Sequence, residues 1–243
     1  MIELKVTEVE HYTDTLFRIR TERPRTYRFI AGEFVMIGLN NWSEKLQKNK
    51  PLMRAYSLTS GPYDDYLEFY SIKVPDGPLT SKLQHIKVGD QLIVGDKPTG
   101  TLTLNNLELG GDLWMLATGT GIAPFISLLR DPATYESFNN LHVVWSVRQQ
   151  VELSAYHEFL QEADIEYMPT ITRGACAPWT DKRITTQIDE GTIVTNTPNI
   201  DKVMICGSMP FNNDVKDLLE VRGWAEGNSQ TAGTFVQEKA FVG

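Results

Sequence analysis

The sequence is poor in cysteine, in long apolar runs and in positive charge. Its 243 residues include two cysteines, Cys176 and Cys206, which lie far apart and form no CxxC pair. This spacing excludes a cysteine-ligated iron–sulfur cluster or a cysteine-rich zinc site within the sequence, and we expect no metal. The formal net charge of −8 disfavours nucleic acid as a general partner.

No apolar stretch approaches the length of a membrane-spanning helix. The first residues, MIELKVTEVEHYTD, lack the charged-then-apolar layout of a signal peptide. The composition, 41% hydrophobic and 22% charged, is that of an ordinary globular protein. We therefore expect a soluble, cytoplasmic protein, long enough for one large domain or two modest ones.

The first 105 residues have the pattern of short strands separated by glycine and proline turns. Residues 2–6 and 16–20 alternate apolar and polar side chains, as half-buried strands do. Further strands are predicted at residues 34–37, 67–74 and 91–94, and a short helix at residues 81–85. This spacing favours an antiparallel β-barrel or sandwich.

Beyond the polar, glycine-ended segment 105–111, strands alternate with helices. The predicted strands are 113–117, 141–146, 166–172 and 202–206, and the predicted helices are 123–130, 154–163, 184–188 or longer, and 212–222. Such alternation predicts a wound parallel sheet. We therefore predict two domains, an antiparallel β-barrel over residues 1–105 and an α/β parallel-sheet domain over residues 111–243.

A glycine-rich turn, Thr118-Gly119-Thr120-Gly121, lies between the strand at 113–117 and the helix that follows. A turn at a helix start gathers backbone N–H groups at the positive end of the helix dipole, so an anion such as a pyrophosphate would bind there. An ordinary βα turn that needs glycine only for its backbone angles explains the pattern equally well. It is not the GxGxxG fingerprint, because Pro124 stands in place of the third glycine.

Five motifs in order resemble the ferredoxin–NADP reductase family. They are RAYSL at 54–58, KVPDGPLTSKL at 73–83, ATGTGIAPF at 117–125, CGSM at 206–209, and the tail 235–243. The resemblance covers nearly the whole length and is closest to the bacterial branch, whose chains end in an Ala-Phe-Val type tail. It implies that the barrel binds FAD and that the α/β domain binds NADPH.

The resemblance also implies the residues of the FAD site. Tyr56 offers a flat face to the isoalloxazine ring, Arg54 holds a phosphate, and Ser57 lies beside flavin N5. We place this motif at a strand start, and we place Thr80 and Ser81 at a helix start, as helix caps, as a phosphate cradle, or as both. The full set is Arg54, Ala55, Tyr56, Ser57, Leu58, Ile72, Lys73, Val74, Gly77, Pro78, Leu79, Thr80, Ser81, Thr118, Ala240 and Phe241.

Ala240 stands where many family members carry an aromatic residue that stacks on the flavin, and it is too small to stack. The resemblance to the bacterial branch implies that Phe241 folds over the adenine of FAD instead. We therefore expect nicotinamide to reach the flavin without displacing an aromatic ring.

For the nicotinamide cofactor, the family pattern implies Gly119, Thr120, Gly121, Arg148, Arg173, Arg183, Gly207 and Ser208. Arginines, rather than an acid, follow the predicted strands, which favours the 2′-phosphate of NADPH over the ribose diol of NADH. The implied catalytic residues are Tyr56, Ser57, Cys206 and Glu238. Cys206 packs near the nicotinamide without acting as a nucleophile, and Glu238 relays a proton with Ser57.

The implied activity is hydride transfer between NADPH and FAD, with single electrons passing to or from ferredoxin or flavodoxin. We expect a monomer with a basic docking surface for these acidic acceptors. The candidate cations are Arg18, Arg20, Arg23, Arg25, Arg28 and the lysines of the loop at 45–50. The alternatives are a reductase of free flavin or small oxidants, an electron-transfer subunit of a larger complex, and a nucleotide-binding regulatory domain.

Overall fold

The computed structural model describes residues 1–43, 48–174 and 178–240. Its first part is a six-stranded antiparallel sheet with the strand order β4-β3-β6-β1-β2-β5. The strands are β1 (Ile2–His11), β2 (Leu16–Glu22), β3 (Phe34–Ser43), β4 (Lys48–Ser57), β5 (Tyr66–Ile72) and β6 (Gln91–Val94), and the short helix α1 spans Thr80–Leu83. The predicted antiparallel architecture of this half is confirmed.

The two end strands of this sheet, β4 and β5, approach each other without forming a continuous ladder in the described ranges. An isolated bridge joins Leu58, the residue after β4, to Phe69 of β5. The sheet is therefore barrel-like rather than a fully closed barrel.

The sequence prediction missed most of β4 and placed the 54–58 motif at a strand start, which is wrong. The strand begins at Lys48, and Arg54 and Ser57 lie in its last four residues. Pro51 obscured the pattern, because proline is tolerated mainly in edge strands and β4 is the edge of its sheet. The motif consequently lies at the carboxyl end of a long edge strand.

The second part is a five-stranded, all-parallel sheet with the order β11-β10-β7-β8-β9. Its strands are β7 (Asp112–Thr118), β8 (Asn140–Val147), β9 (Glu166–Ile171), β10 (Asp201–Gly207) and β11 (Phe235–Lys239). Its helices are α2 (Ala123–Leu129), α3 (Pro132–Ser137), α4 (His157–Glu162), α5 (Ile184–Asp189) and α6 (Met209–Val221). The predicted wound parallel sheet is confirmed.

The helices differ from the prediction at several places: α3 was not predicted, and α1 spans Thr80–Leu83 rather than 81–85. The helix expected over 154–163 is only the shorter α4, which follows a turn at 154–156 and a 3-10 helix over Gln150–Leu153. Tyr156, with φ −136°, interrupts it, because its side chain is buried and its hydroxyl donates to a distant carboxylate, that of Glu68. Helix α6 starts earlier than expected, since Ser208 caps it by accepting a hydrogen bond from the Phe211 amide.

Helix α2 lies between the two sheets, and every one of its residues is buried. The apolar cluster around it joins the second sheet to Leu16, Ala31 and Tyr70 of the first half. A helix that is apolar on all sides needs partners on all sides, which the two sheets supply. In the described ranges no helix combines the length and apolarity needed to cross a bilayer.

Candidate functional site

The carboxyl end of β7 leads into the glycine-rich turn. A 3-10 helix over Gly119–Ile122 connects the strand to α2, as the strand–turn–helix prediction requires. Gly119 has φ +53°, in the left-handed region that favours glycine, and the buried Trp145 donates its indole N–H to the Gly119 carbonyl over 2.8 Å. The turn is therefore fixed by a hydrogen bond from the neighbouring strand, β8.

The ends of β7 and β10 are in direct contact. A Cβ on Gly121 would lie 2.1 Å from the Cys206 carbonyl oxygen, and a Cβ on Gly207 would lie 2.2 Å from the Thr118 hydroxyl. The Ser208 amide also donates to that hydroxyl over 3.4 Å. Packing therefore requires glycine at positions 121 and 207, whereas the backbone angle favours it at 119. Two motifs about ninety residues apart form one surface.

Cys206 and Glu238 are cross-strand partners in the parallel pair β10 and β11. Both are buried, and burial raises the pKa of the Cys206 thiol well above its ordinary value, so the thiol stays neutral. This agrees with a packing role rather than a nucleophilic one.

Burial also raises the pKa of Glu238 to about 7, although the amides of Thr101 and Leu102 oppose the shift. Its Oε2 accepts a hydrogen bond from the Thr101 amide at 3.1 Å. Its Oε1 is buried and has no hydrogen-bond partner among the described residues. A carboxyl group with this pKa exchanges its proton near neutral pH and has one oxygen available to a ligand.

The strand β3 lies between Ser57 and the segment that contacts Glu238. Phe34 pairs with Ser57 on one side and forms a bridge with Thr99 on the other. The next residue, Gly100, approaches Glu238 so closely that a Cβ there would lie 2.9 Å from Oε2. The fold therefore brings the end of the chain against the first sheet near the 54–58 motif, while the proton relay between Ser57 and Glu238 stays a prediction.

Within the 54–58 motif, Arg54, Ala55 and Ser57 are half-buried, and Tyr56 and Leu58 are buried. Tyr56 is 5% exposed, and its hydroxyl lies 3.2 Å from the Ser71 hydroxyl. Arg54 donates to the Met53 carbonyl over 2.8 Å. Because protein covers the Tyr56 ring, the predicted flavin contact requires neighbouring groups to move, and it stays a prediction.

The segment that leads into α1 uses several of its own amides. The amides of Lys73, Gly77 and Ser81 donate to the carbonyls of Thr15, Val74 and Gly77. Thr80 donates its hydroxyl to the Val74 carbonyl over 3.1 Å, and α1 has no side-chain cap. The expected capping by Thr80 and Ser81 is therefore wrong, and those three amides are not available to a phosphate while their bonds persist. The other predicted residues here are Ile72 and Val74, which are half-buried, Pro78, which is exposed, and Leu79, which is buried.

Three arginines gather at the carboxyl side of β8 and β9. Arg148 directly follows β8, and its carbonyl accepts the Arg173 amide at 2.9 Å. Arg183 caps the start of α5, three residues after Thr180, which bridges Thr170 of β9. All three are exposed, and none forms an ion pair in the part of the chain that is described. They are therefore available to an anionic ligand.

The tail returns to the β10 turn. Ala240 is buried, and its amide donates to the Gly207 carbonyl over 2.9 Å. Asn212 of α6 supports this return by donating to the Glu238 carbonyl over 2.9 Å. Phe241 lies outside the described residues, and its predicted adenine contact stays a prediction.

The docking prediction needs correction, because three of its cations are used inside the chain. Arg18 and Arg20 pair with the carboxylates of Glu8, Glu10 and Glu68. Arg23 donates to the carbonyls of Tyr27, Pro62 and Asp64. Arg25, Arg28 and Lys50 are exposed, Lys48 and Lys50 lie at the start of β4, and Lys45 lies outside the described residues.

The comparisons with known proteins agree with this geometry. A family model for the oxidoreductase NAD-binding domain matches residues 115–217. The flavodoxin/ferredoxin–NADP reductase of Rhodobacter capsulatus is 46% identical, over 98% of this chain and 92% of that protein. The chain belongs to the ferredoxin–NADP reductase family.

Two further members of the ferredoxin–NADP reductase family match along nearly their whole length. Ferredoxin–NADP reductase A of Sorangium cellulosum is 44% identical over 99% of this chain and 90% of that protein. The crystal structure of a ferredoxin–NADP+ reductase from Neisseria gonorrhoeae with bound FAD and NADP superposes with a TM-score of 0.89. It is 30% identical and covers 99% of this chain and 98% of its own.

Several observations on this chain fit the cofactors of a ferredoxin–NADP reductase. The Glu238 Oε1 is an unpartnered buried acceptor, the space beside Gly119 is open, and three arginines are unpaired at one sheet edge in the described residues. The supporting residues Trp145, Thr101 and Asn212 were not predicted. An isolated Trp, Thr or Asn carries no local signal for a contact with a segment distant in sequence.

Proposed function

We propose that this chain binds FAD on its first half (residues 1–105) and NADPH on its second (residues 111–243). It transfers hydride between them and exchanges single electrons with a ferredoxin or flavodoxin. The observation that carries this proposal is the meeting of the Thr118–Gly121 turn, the Cys206–Ser208 turn and Glu238 at the edge where the two halves touch. The R. capsulatus relative, named for both acceptors, supports the electron partners.

FAD, when bound, supplies the chemistry that links two-electron and one-electron partners, and the protein supplies binding and orientation. Arg54 binds a phosphate group with its planar set of donors, which suits phosphate better than the point charge of a lysine. Once the groups that cover the Tyr56 ring move aside, the ring offers an aromatic face, and stacking contributes about 0.5–1.5 kcal/mol beyond area burial. The segment from Ile72 to Ser81 completes the phosphate side of the site.

The glycine surface at the ends of β7 and β10 lets a nicotinamide ring approach without a side chain in its way. Cys206 contributes a neutral, buried thiol that packs beside the ring and excludes water. Glu238 holds a proton below about pH 7. The Ser57 hydroxyl group orients the nicotinamide ring. Together they position the ring and hold an exchangeable proton at the Glu238 carboxyl.

NADPH is the preferred donor because Arg148, Arg173 and Arg183 line the strand ends where the adenosine half of the cofactor lies. A 2′-phosphate pairs well with a guanidinium, while the ribose diol of NADH favours an acid. None of the three arginines has to give up an internal ion pair within the described ranges to make this contact.

The test is anaerobic stopped-flow mixing of the FAD-loaded protein with NADPH or NADH, followed by mixing with ferredoxin, flavodoxin or free FMN. We expect flavin absorbance to bleach faster with NADPH, and the two protein acceptors to reoxidise it faster than free FMN. Preferential reoxidation by free FMN would instead support a free-flavin reductase. A protein that retains no flavin would overturn the proposal.

Arg25 and Arg28 are two exposed members of the predicted docking set, and they lie in the loop between β2 and β3. We propose that they contribute to the surface that meets the acidic acceptor, since steering by exposed charge raises association rates at low salt. We further propose that the protein works as a monomer in the cytoplasm.

A further inference from the structure

Glu68 is a fully buried carboxylate in the middle of β5. Its Oε2 accepts from Arg20 Nε at 2.6 Å and lies 3.5 Å from Arg18 Nη1. Its Oε1 accepts from the Thr59 hydroxyl at 2.9 Å, from Arg130 Nη1 at 3.0 Å and from the Tyr156 hydroxyl at 3.0 Å. A buried charge is tolerated only when it is paired and hydrogen-bonded, and this one is both.

The partners of Glu68 come from both halves of the chain. Oε2 faces Arg18 and Arg20 of the first sheet. Oε1 faces Arg130, at the end of α2, and Tyr156, at the start of α4, both in the second half of the chain. Burial alone would raise the pKa of Glu68, but Arg130, Arg18 and Arg20 outweigh it and hold the pKa below its ordinary value. The carboxylate therefore stays ionised at neutral pH and keeps its bonds to both halves.

The connections of Glu68 lead directly to the two cofactor segments. Thr59 follows the 54–58 motif, and Arg130 also donates to the Thr59 carbonyl at 2.9 Å. Arg130 caps the end of α2, the helix that begins immediately after the Gly119–Ile122 turn. Beside them, Ser127 of α2 donates to the Ser60 carbonyl at 2.7 Å. One carboxylate thus joins the residue that follows the flavin motif to the helix that carries the nicotinamide turn.

An ordinary stabilising ion cluster does not account for this arrangement. Arg18 and Arg20 already have carboxylate partners in Glu8 and Glu10 on the outer side of the sheet. What Glu68 adds is the contact to Arg130 and Tyr156. Its distinctive contribution is therefore the link between the halves.

We propose that Glu68 is a positioning residue, which holds the 54–58 motif and the Thr118–Gly121 turn at the separation that hydride transfer requires. This inference rests on the proposed function. Hydride transfer depends steeply on the distance between donor and acceptor, and a displacement of about 1 Å costs on the order of a hundredfold in rate. Removing the contacts of Glu68 with Arg130 and Tyr156 should slow hydride transfer and leave the affinity for each cofactor nearly unchanged.

The test compares Glu68→Gln with Glu8→Gln in the FAD-loaded protein. Both substitutions remove a carboxylate that pairs with Arg18 and Arg20, but only Glu68 contacts Arg130 and Tyr156. We expect Glu68→Gln to lower the limiting rate of flavin reduction by NADPH at least tenfold, with the NADPH Kd changed less than twofold. We expect a larger primary isotope effect with deuterated NADPH, and Glu8→Gln to behave as wild type.

A second readout needs no turnover. Amide hydrogen exchange over residues 119–130 should be faster in Glu68→Gln than in wild type or Glu8→Gln, because the ion pair between Arg130 and Glu68 is lost while the bonds to the Thr59 and Ser60 carbonyls remain. If Glu68→Gln does not fold, Tyr156→Phe, which removes one hydrogen bond to Oε1, serves instead, with a rate decrease of at least twofold.

The outcomes separate the two proposals. If wild type is not bleached by NADPH, the proposed function fails. If wild type is bleached and Glu68→Gln, or its substitute Tyr156→Phe, transfers hydride at the wild-type rate, the positioning role of Glu68 is overturned while the proposed function stands.

Discussion

Glu238 makes the free energy of unfolding of this protein depend on pH, and the single substitution Glu238→Gln removes that contribution. Burial raises its pKa from 4.5 to about 7 in the folded protein. The folded state therefore binds this proton more tightly than the unfolded chain does. The resulting stabilisation is fully present below pH 4.5 and is lost as the pH rises through about 7.

The magnitude follows from the two pKa values at about 1.4 kcal/mol per pH unit. Between pH 5 and pH 8 the carboxyl group of Glu238 removes about 2.5 kcal/mol from the free energy of unfolding. Glu238→Gln resembles the protonated side chain at every pH, since an amide also accepts from Thr101. The variant should exceed wild type in stability by about 0.8 kcal/mol at pH 5 and by about 3.4 kcal/mol at pH 8, so that the difference grows by about 2.5 kcal/mol.

The assay is urea unfolding of both proteins at saturating FAD, in steps from pH 5 to pH 8. Glu158→Gln, at an exposed position on α4, makes the same chemical change in a solvated site and should run parallel to wild type. Burial also raises the pKa of Glu33, and its charge is one of the groups that raise the pKa of Glu238, so the measured difference includes this coupling. Parallel curves for wild type and Glu238→Gln would refute the reasoning.

Three further predictions address the cofactor segments. Gly121→Ala should lower the Tm by roughly 3–10 °C, because the added Cβ would lie 2.1 Å from the Cys206 carbonyl oxygen. An unchanged Tm in thermal unfolding would contradict this packing argument. Arg173→Ala should weaken NADPH binding about tenfold and leave NADH binding unchanged in titration calorimetry, with Arg25→Ala as a control that alters neither. Deleting residues 241–243 should weaken FAD binding roughly twofold to tenfold, the value of one aromatic stacking contact, and an unchanged Kd for FAD would show that the tail does not cover the cofactor.

The local pattern of the sequence determined the two architectures and the main motifs. Alternation of period two identified the antiparallel strands β1 and β2, and alternation of strands with amphipathic helices identified the parallel sheet. The glycine-rich turn after β7 was predictable because its strand, its turn and its helix are consecutive in the chain. The order of five motifs was enough to indicate the family, which the relatives at 44–46% identity then showed.

The tertiary structure alone decided which charges and polar groups are free. Arg18, Arg20 and Arg23 look like surface cations in the sequence, but they pair with or donate to residues as far as fifty positions away, as Arg18 does with Glu68. Glu68 meets Tyr156 across eighty-eight positions, and Glu238 meets Thr101 across one hundred and thirty-seven. Burial and pairing set the protonation of such groups, and both arise from contacts between segments that no local pattern relates.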